Sequence, residues 1–510
     1  MNMTDQIPNE KDDAVSRMTT GTDAIGEVEP EKNFNTMSTF SLSLSLMATW
    51  EALLSTIGLG LTAGGSVALV YGFLLSFVGN ICTAMSLSEP AAMYPNAGGQ
   101  YYMIAELTSG KTKALLSWYT GWLSLVGWVA LTASGPYGAA NIIQGLVVLN
   151  YDDYEPKAWR WYLIYLTITV LSFLMNIWGG KVLPMLENAI SALHVLFFFM
   201  VLIAAAALPK ERQSAEFVFT HFANGTGWDS NGIAWGIGML TSAYIMIGYD
   251  SAAHMSEEMR NPRTGVPRAM IGSIIVNGAM GFAMLLVILF GIQDLDAALT
   301  TKTGFPIIEI FYQMTRGNKA AASAMSSTIA ISAGAATVGL IAATSRTLWS
   351  FARDGAPAYS GRLAQLSENS HVPFNAVAFV SLFVIILGLL NIASTTAFSA
   401  VLSVTVIGMS LSYLTPIVAM LYRKIWTPVQ LEYGPWKMPR MLGIAVNMFS
   451  ICYILFLTAF LVLPTVMPVT AQNMNYASVI LGGVLILVTI DWIFRGRKAY
   501  NGPKNETYDQ

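Results

Sequence analysis

Residues 49–65 read TWEALLSTIGLGLTAGG, and they sit in an apolar run over 39–61 that places Glu51 midway along it. A helix needs ~20 apolar residues to cross the hydrocarbon of a bilayer. A carboxylate at mid-depth is costly there, and it points to function. Small residues surround it: Ala52 beside it, then Gly58, Gly60, Gly64 and Gly65. Thr49-Trp50-Glu51-Ala52 is therefore read as a candidate interruption of the helix. An interruption bares carbonyls and amides, which a membrane tolerates only where they line a cavity. With the half-helix dipoles, such groups bind a zwitterion or a cation. The competing reading is a continuous helix whose Glu51 is protonated or paired with a neighbour.

The theme returns five runs later in Ile247-Gly248-Tyr249-Asp250-Ser251-Ala252-Ala253-His254. This stretch is small and polar within a span, and a basic, proline-bearing segment from Arg260 to Arg268 follows it. Two interrupted helices five spans apart are what an inverted five-plus-five repeat produces. Twelve apolar runs reach the required length. They cover roughly 39–61, 66–88, 114–139, 160–178, 182–207, 232–255, 269–292, 320–346, 374–392, 396–421, 442–464 and 476–495. The third stays apolar to Asn150, and eleven or thirteen spans are the alternative counts. The expected organisation is a disordered tail over 1–38, a membrane domain over 39–495 and a second tail over 496–510.

Composition agrees. Of 510 residues, 54% are hydrophobic and 11% charged, and the mean hydropathy is +0.53. Soluble domains carry about 25% charged residues, so a water-soluble enzyme is excluded. With twelve spans and a cytoplasmic N-terminus, 20 of the 27 Lys and Arg residues fall on the cytoplasmic side. That bias supports both the even count and the cytoplasmic placement of the two ends. A sequon at Asn224 lies in the expected outer loop over 208–231, as a glycosylation site requires. Those at Asn2 and Asn505 lie in the tails and are expected to stay silent.

The remaining membrane charges are Glu187 and His194 in the fifth span, His254 beside Asp250, and Asp491 one turn from Arg495. No nucleophile–base pair or carboxylate cluster shares a depth, so catalytic residues and an enzyme activity are not expected. Metal-ligand spacing is absent from the sequence, Cys82 and Cys452 lie inside apolar runs, and no basic stripe suggests nucleic acid. No cofactor is expected, and the coupling ion is expected to be a proton or sodium. The hydroxyls of 321–345, Ser323 to Thr337, suit tight packing or sodium coordination.

Three further blocks carry a family resemblance. They are Ser86-Leu87-Ser88-Glu89-Pro90 through Tyr94-Pro95-Asn96-Ala97-Gly98-Gly99-Gln100-Tyr101-Tyr102; Gly248-Tyr249-Asp250-Ser251 through Glu257-Glu258, with Asn261-Pro262 and Val266-Pro267; and Ser345-Arg346-Thr347-Leu348-Trp349 through Asp354-Gly355. In this order, with matching spans over nearly all of 39–495, the chain resembles the amino acid–polyamine–choline permeases. The likeness is to the fungal branch that includes GABA and choline permeases. The resemblance implies twelve helices, ten of them in inverted repeats, with helices one and six broken around a midplane site, and alternating access.

It further implies that Thr49, Trp50, Glu51, Ala52, Gly248, Tyr249, Asp250 and Ser251 surround the substrate. At Trp50-Glu51-Ala52 many family members have a glycine-rich break; this chain has an indole and a carboxylate. An ionised Glu51 repels a substrate carboxylate and attracts an amine or quaternary ammonium, which can stack on Trp50. His194 lies where some proton-coupled relatives carry a lysine, so it is the proton-coupling candidate, with a core histidine as the alternative. Trp118, Trp122 and Trp128 are expected in part at the cavity. The expected function is uptake of a small nitrogenous solute across the plasma membrane. A sensor with little flux and a polyamine transporter are the alternatives, and oligomeric state is unreadable.

Overall fold

The computed structural model describes residues 30–179, 182–368, 370–393, 397–427, 431–471 and 473–504. Of the expected tails, 1–29 and 505–510 lie outside the described residues, as do Asn2, Asn505 and Lys181. The described chain is almost wholly helical. Among the described residues, eleven helices are long and apolar enough to cross a membrane. They are Thr36–Thr62, Gly65–Met93, Thr112–Asn150, Ala158–Trp178, Leu183–Ala207, Pro262–Gly291, Lys319–Arg353, Phe374–Ile392, Phe398–Trp426, Arg440–Leu461 and Ala477–Ala499. The missing member is the sixth span, which is helical over Asn231–Tyr244, unwinds, and resumes over Ser251–His254. The spans are numbered one to twelve accordingly. The polytopic helical fold read from the runs is thus present, and the third span does continue to Asn150.

The first span is also divided. Thr36–Met47 ends at Ala48, which is left-handed at φ 42° and ψ 45°, and Thr49–Thr62 begins the second half. No glycine makes this break. Gly58 and Gly60, read as part of the interruption, are helical. Their lack of a side chain serves close packing: a Cβ on Gly58 would lie 2.8 Å from Pro306 Cγ.

Both described termini lie against one face of the molecule. The Phe34 N–H donates to Glu258 O at 2.9 Å, and the Lys504 N–H donates to Asp354 Oδ1 at 3.1 Å. The helix begins at Thr36, three residues before the expected boundary, with Asn35 and Ser38 forming a reciprocal cap. The second tail is not free either. Tyr500 is buried among Trp118, Phe351 and Tyr101, and its hydroxyl meets Ser117 Oγ at 2.6 Å.

Candidate solute-binding site

The two interruptions face each other, and side chains replace the lost helical bonds. Thr49 Oγ1 donates to Ile245 O at 2.8 Å, and Thr241 Oγ1 donates to Thr56 O at 3.0 Å. The hydroxyls of Ser43 and Ser251 meet at 2.9 Å. Gly248 turns the sixth span at φ 107°, where a Cβ would lie 2.9 Å from Leu46 Cδ1. Both features are what an irregular backbone inside a bilayer requires, namely polar partners for freed carbonyls.

Against these breaks lies a cavity of about 40 Å³. The first span contributes Ala48, Glu51, Ala52, Ser55 and Thr56; Ser134, Gly138, Tyr244, Ile247, Ala336 and Phe398 are among the other walls. That volume holds a few waters, since one water needs about 10–15 Å³. An amino-acid-sized solute needs the walls to part. Phe398 stacks on Tyr137 with centroids 4.2 Å apart, and Tyr244 OH is held by Ser134 Oγ at 2.7 Å.

Glu51 is buried and stands in the first turn of the second half-helix. The partial positive charge of a helix N-terminus favours a carboxylate there. Glu51 Oε1 meets His194 Nδ1 at 2.7 Å, joining the first and fifth spans. Glu51 Oε2 has no hydrogen-bond partner. On its other side, His194 Nε2 lies 3.2 Å from Asn277 Oδ1 of the seventh span. Asn277 Nδ2 donates to Leu44 O at 3.0 Å, a carbonyl released by the break at Ala48.

Of the eight expected substrate residues, Glu51 and Ala52 border the cavity. Thr49 and Ser251 fasten the two breaks together, and Gly248 makes the turn. Trp50 is fully buried, packed on His194 and Phe198 at centroid separations of 6.1 and 6.4 Å. Tyr249 is buried against Tyr413. Asp250 is clasped: Gln100 Nε2 donates to Oδ2 at 2.8 Å, Trp128 Nε1 to Oδ2 at 3.2 Å, and Tyr413 OH to Oδ1 at 2.7 Å. His254 Nε2 is 3.4 Å from Asp250 Oδ2 but not aligned to bond it, while its Nδ1 donates to Ala97 O at 2.8 Å. Trp128 thus serves Asp250. Trp118, expected in part at the cavity, lies in the Tyr500 cluster instead, because Trp492 and Phe351 enclose it.

Asn277 and Tyr413 are not among the residues read from the sequence; their signal is a lone amide or phenol inside an apolar run. Gln100 lies in the quoted Tyr94–Tyr102 block, where nothing marks it as a partner of Asp250. Glu187 faces the first span, where Ser45 Oγ donates to its Oε2 at 3.0 Å. Among the described residues no metal-holding group of His, Cys, Asp or Glu occurs. Of the eighth-span hydroxyls, Thr328 and Thr337 donate to backbone carbonyls of their own helix. Asn224 is exposed on a loop over the face opposite the termini, with Gly225 N–H bonded to Thr62 O at 2.8 Å.

The terminal face is shut by ion pairs. Arg353 clamps Glu257 with two bonds of 2.7 and 2.8 Å, and Arg346 Nε meets Glu258 Oε1 at 2.8 Å. Both tie the end of the sixth span to the eighth.

A polytopic helical bundle with two facing helix breaks beside a small cavity is the build of a membrane transporter. A sequence profile described as amino acid permease matches residues 34–486, and the chain belongs to that family. It is 29% identical to a choline transporter of Saccharomyces cerevisiae, over 96% of this chain and 85% of that one. It is 30% identical to amino-acid permease 2 of Neurospora crassa, over 93% and 86%. It is 29% identical to amino-acid permease BAT1 of Arabidopsis thaliana, over 93% and 94%.

Proposed function

We propose that this permease carries a small nitrogenous solute with a positive head, such as choline, GABA or another amine-bearing amino acid, by alternating access. One observation carries the choice: Glu51 Oε2 is buried at the cavity without a partner. Glu51 Oε1 is engaged by His194, and the free Oε2 is the acceptor that a positive head would meet. The similarity to a yeast choline transporter and a Neurospora amino-acid permease supports the same class. The coupling ion is the proton, held by the Glu51–His194 pair; movement is inward across the plasma membrane. The termini are cytoplasmic, Asn224 is the glycosylated residue, and the basic bias of the loops supports that orientation.

Radiolabelled uptake in a permease-deficient yeast tests it, comparing choline, GABA, polyamines and basic amino acids. At least one should accumulate in the wild type and fall at least tenfold in Glu51→Gln at equal surface expression. Full uptake by Glu51→Gln, or none by the wild type, overturns the reading.

A further inference from the structure

Resting on the reading of Glu51–His194 as the proton site, we propose that Asn277 is a positioning residue that couples the proton on this pair to the hinge of the first span. Its amide orientation is settled by chemistry. Leu44 O can only accept, so Nδ2 must face it, and Oδ1 must then face His194. That acceptor requires a proton on His194 Nε2. The 2.7 Å contact of Nδ1 with Glu51 Oε1 requires a second proton between them. The arrangement seen here is therefore that of a pair holding two protons, an imidazolium with a carboxylate or the tautomer with the shared proton on Glu51.

Loss of one proton leaves His194 a single N–H. The bond to the Glu51 carboxylate is charge-assisted and the stronger of the two, so the proton stays on Nδ1. Nε2 becomes a lone pair facing Asn277 Oδ1, and two acceptors repel at 3.2 Å. Turning the amide over restores the bond to His194 but presents Oδ1 to Leu44 O. The freed carbonyl at the hinge then has no donor. Deprotonation thus unlatches Thr36–Met47 from the seventh span, and protonation fastens it.

Few other charges compete. The elements packed on the fifth span are the two halves of the first span, the seventh and the eighth. Besides Glu51, they carry Arg263, Arg268, Lys319, Arg346 and Arg353 toward their ends. On the fifth span itself the other charged group is Glu187, which is bonded to Ser45.

The experiment is a double electron–electron resonance measurement on the full chain in lipid nanodiscs. Spin labels go on Met37→Cys and Tyr359→Cys, both exposed on the terminal face, with Cys82 and Cys452 replaced by Ala. As pH is raised from mildly acidic to mildly alkaline, the otherwise unmutated chain should gain a second, longer distance. Asn277→Leu and Asn277→Ala should show the longer distance at every pH, since neither can accept from His194 or donate to Leu44 O. His194→Gln should lose the pH dependence. A pH response in both Asn277 variants equal to that of the parent overturns the proposal, as does a parent distance that ignores pH. A purely structural Asn277 would lower thermal stability without flattening the pH profile. Uptake by Glu51→Gln fails or survives independently, so loss of the solute reading is told apart from loss of the latch.

Discussion

The Tyr413 hydroxyl donates to Asp250 Oδ1 at 2.7 Å, tying the unwound part of the sixth span to the tenth. Gln100 and Trp128 bring two more donors to the same carboxylate. Tyr413→Phe removes one bond to a charged acceptor, which costs about 1.5–3 kcal/mol. Asp250→Ala strands three buried neutral donors at once, and at about 1–3 kcal/mol for each its loss should be on the order of 3–9 kcal/mol. Thermal unfolding of the purified protein should rank Asp250→Ala well below Tyr413→Phe. Equal melting temperatures would show that the carboxylate is not the centre of the network.

Gly248 occupies φ 107° with Leu46 at the place a side chain would take. Gly248→Ala should introduce backbone strain of about 1–3 kcal/mol at the break itself. Substrate uptake should drop severalfold while the amount of protein at the cell surface holds. Wild-type uptake by the alanine variant would mean that the turn adapts without penalty.

Lys424 and Glu89 form an ion pair with neither side chain exposed, and Glu89 Oε1 also accepts from Met438 N–H at 2.9 Å. Lys424→Met alone leaves a buried carboxylate and should cost about 3–5 kcal/mol. Adding Glu89→Leu removes that charge and leaves one unpaired amide, a penalty of about 1–3 kcal/mol. The double variant should therefore melt above the single one; the reverse order would refute a dry pair.

Burial pushes the Asp354 carboxyl up to about 6 from an ordinary 3.8, with Glu257 adding to the rise. The Lys504 N–H, Tyr101 hydroxyl and Arg353 oppose it. A raised folded value means that the folded protein holds this proton more tightly than the unfolded chain does. The stability this supplies is fully present below about pH 4 and is lost as pH rises through 6, a total on the order of 3 kcal/mol. The melting temperature of the purified protein should therefore fall between about pH 5 and about pH 7. Asp354→Asn should flatten that profile, and an unchanged profile would exclude this group.

The spans were legible because bilayer thickness sets a length that composition alone reveals, and the sixth was read as interrupted from Gly248 and Asp250. The break in the first span lies one residue before Thr49, at an alanine that no propensity singles out. Its left-handed turn is sustained by Asn277, 229 positions along the chain. Glycines 58 and 60 misled because a small residue serves helix packing as readily as it serves a turn. Glu51 and His194 were each visible as membrane charges, but their contact was not, since periodicity reports burial and not partners. Asp250 was placed at the substrate by likeness; its three donors come from elements that only tertiary structure assembles.

Phe34 is stitched between two neighbours of the sixth span's end: its N–H donates to Glu258 O, and its carbonyl accepts from Arg260 N–H. The leading half of the first span and the trailing end of the sixth are therefore joined at this face. A displacement of Thr36–Met47 therefore pulls on residues 258–260, and through them on the Arg346 and Arg353 pairs that hold the sixth span to the eighth.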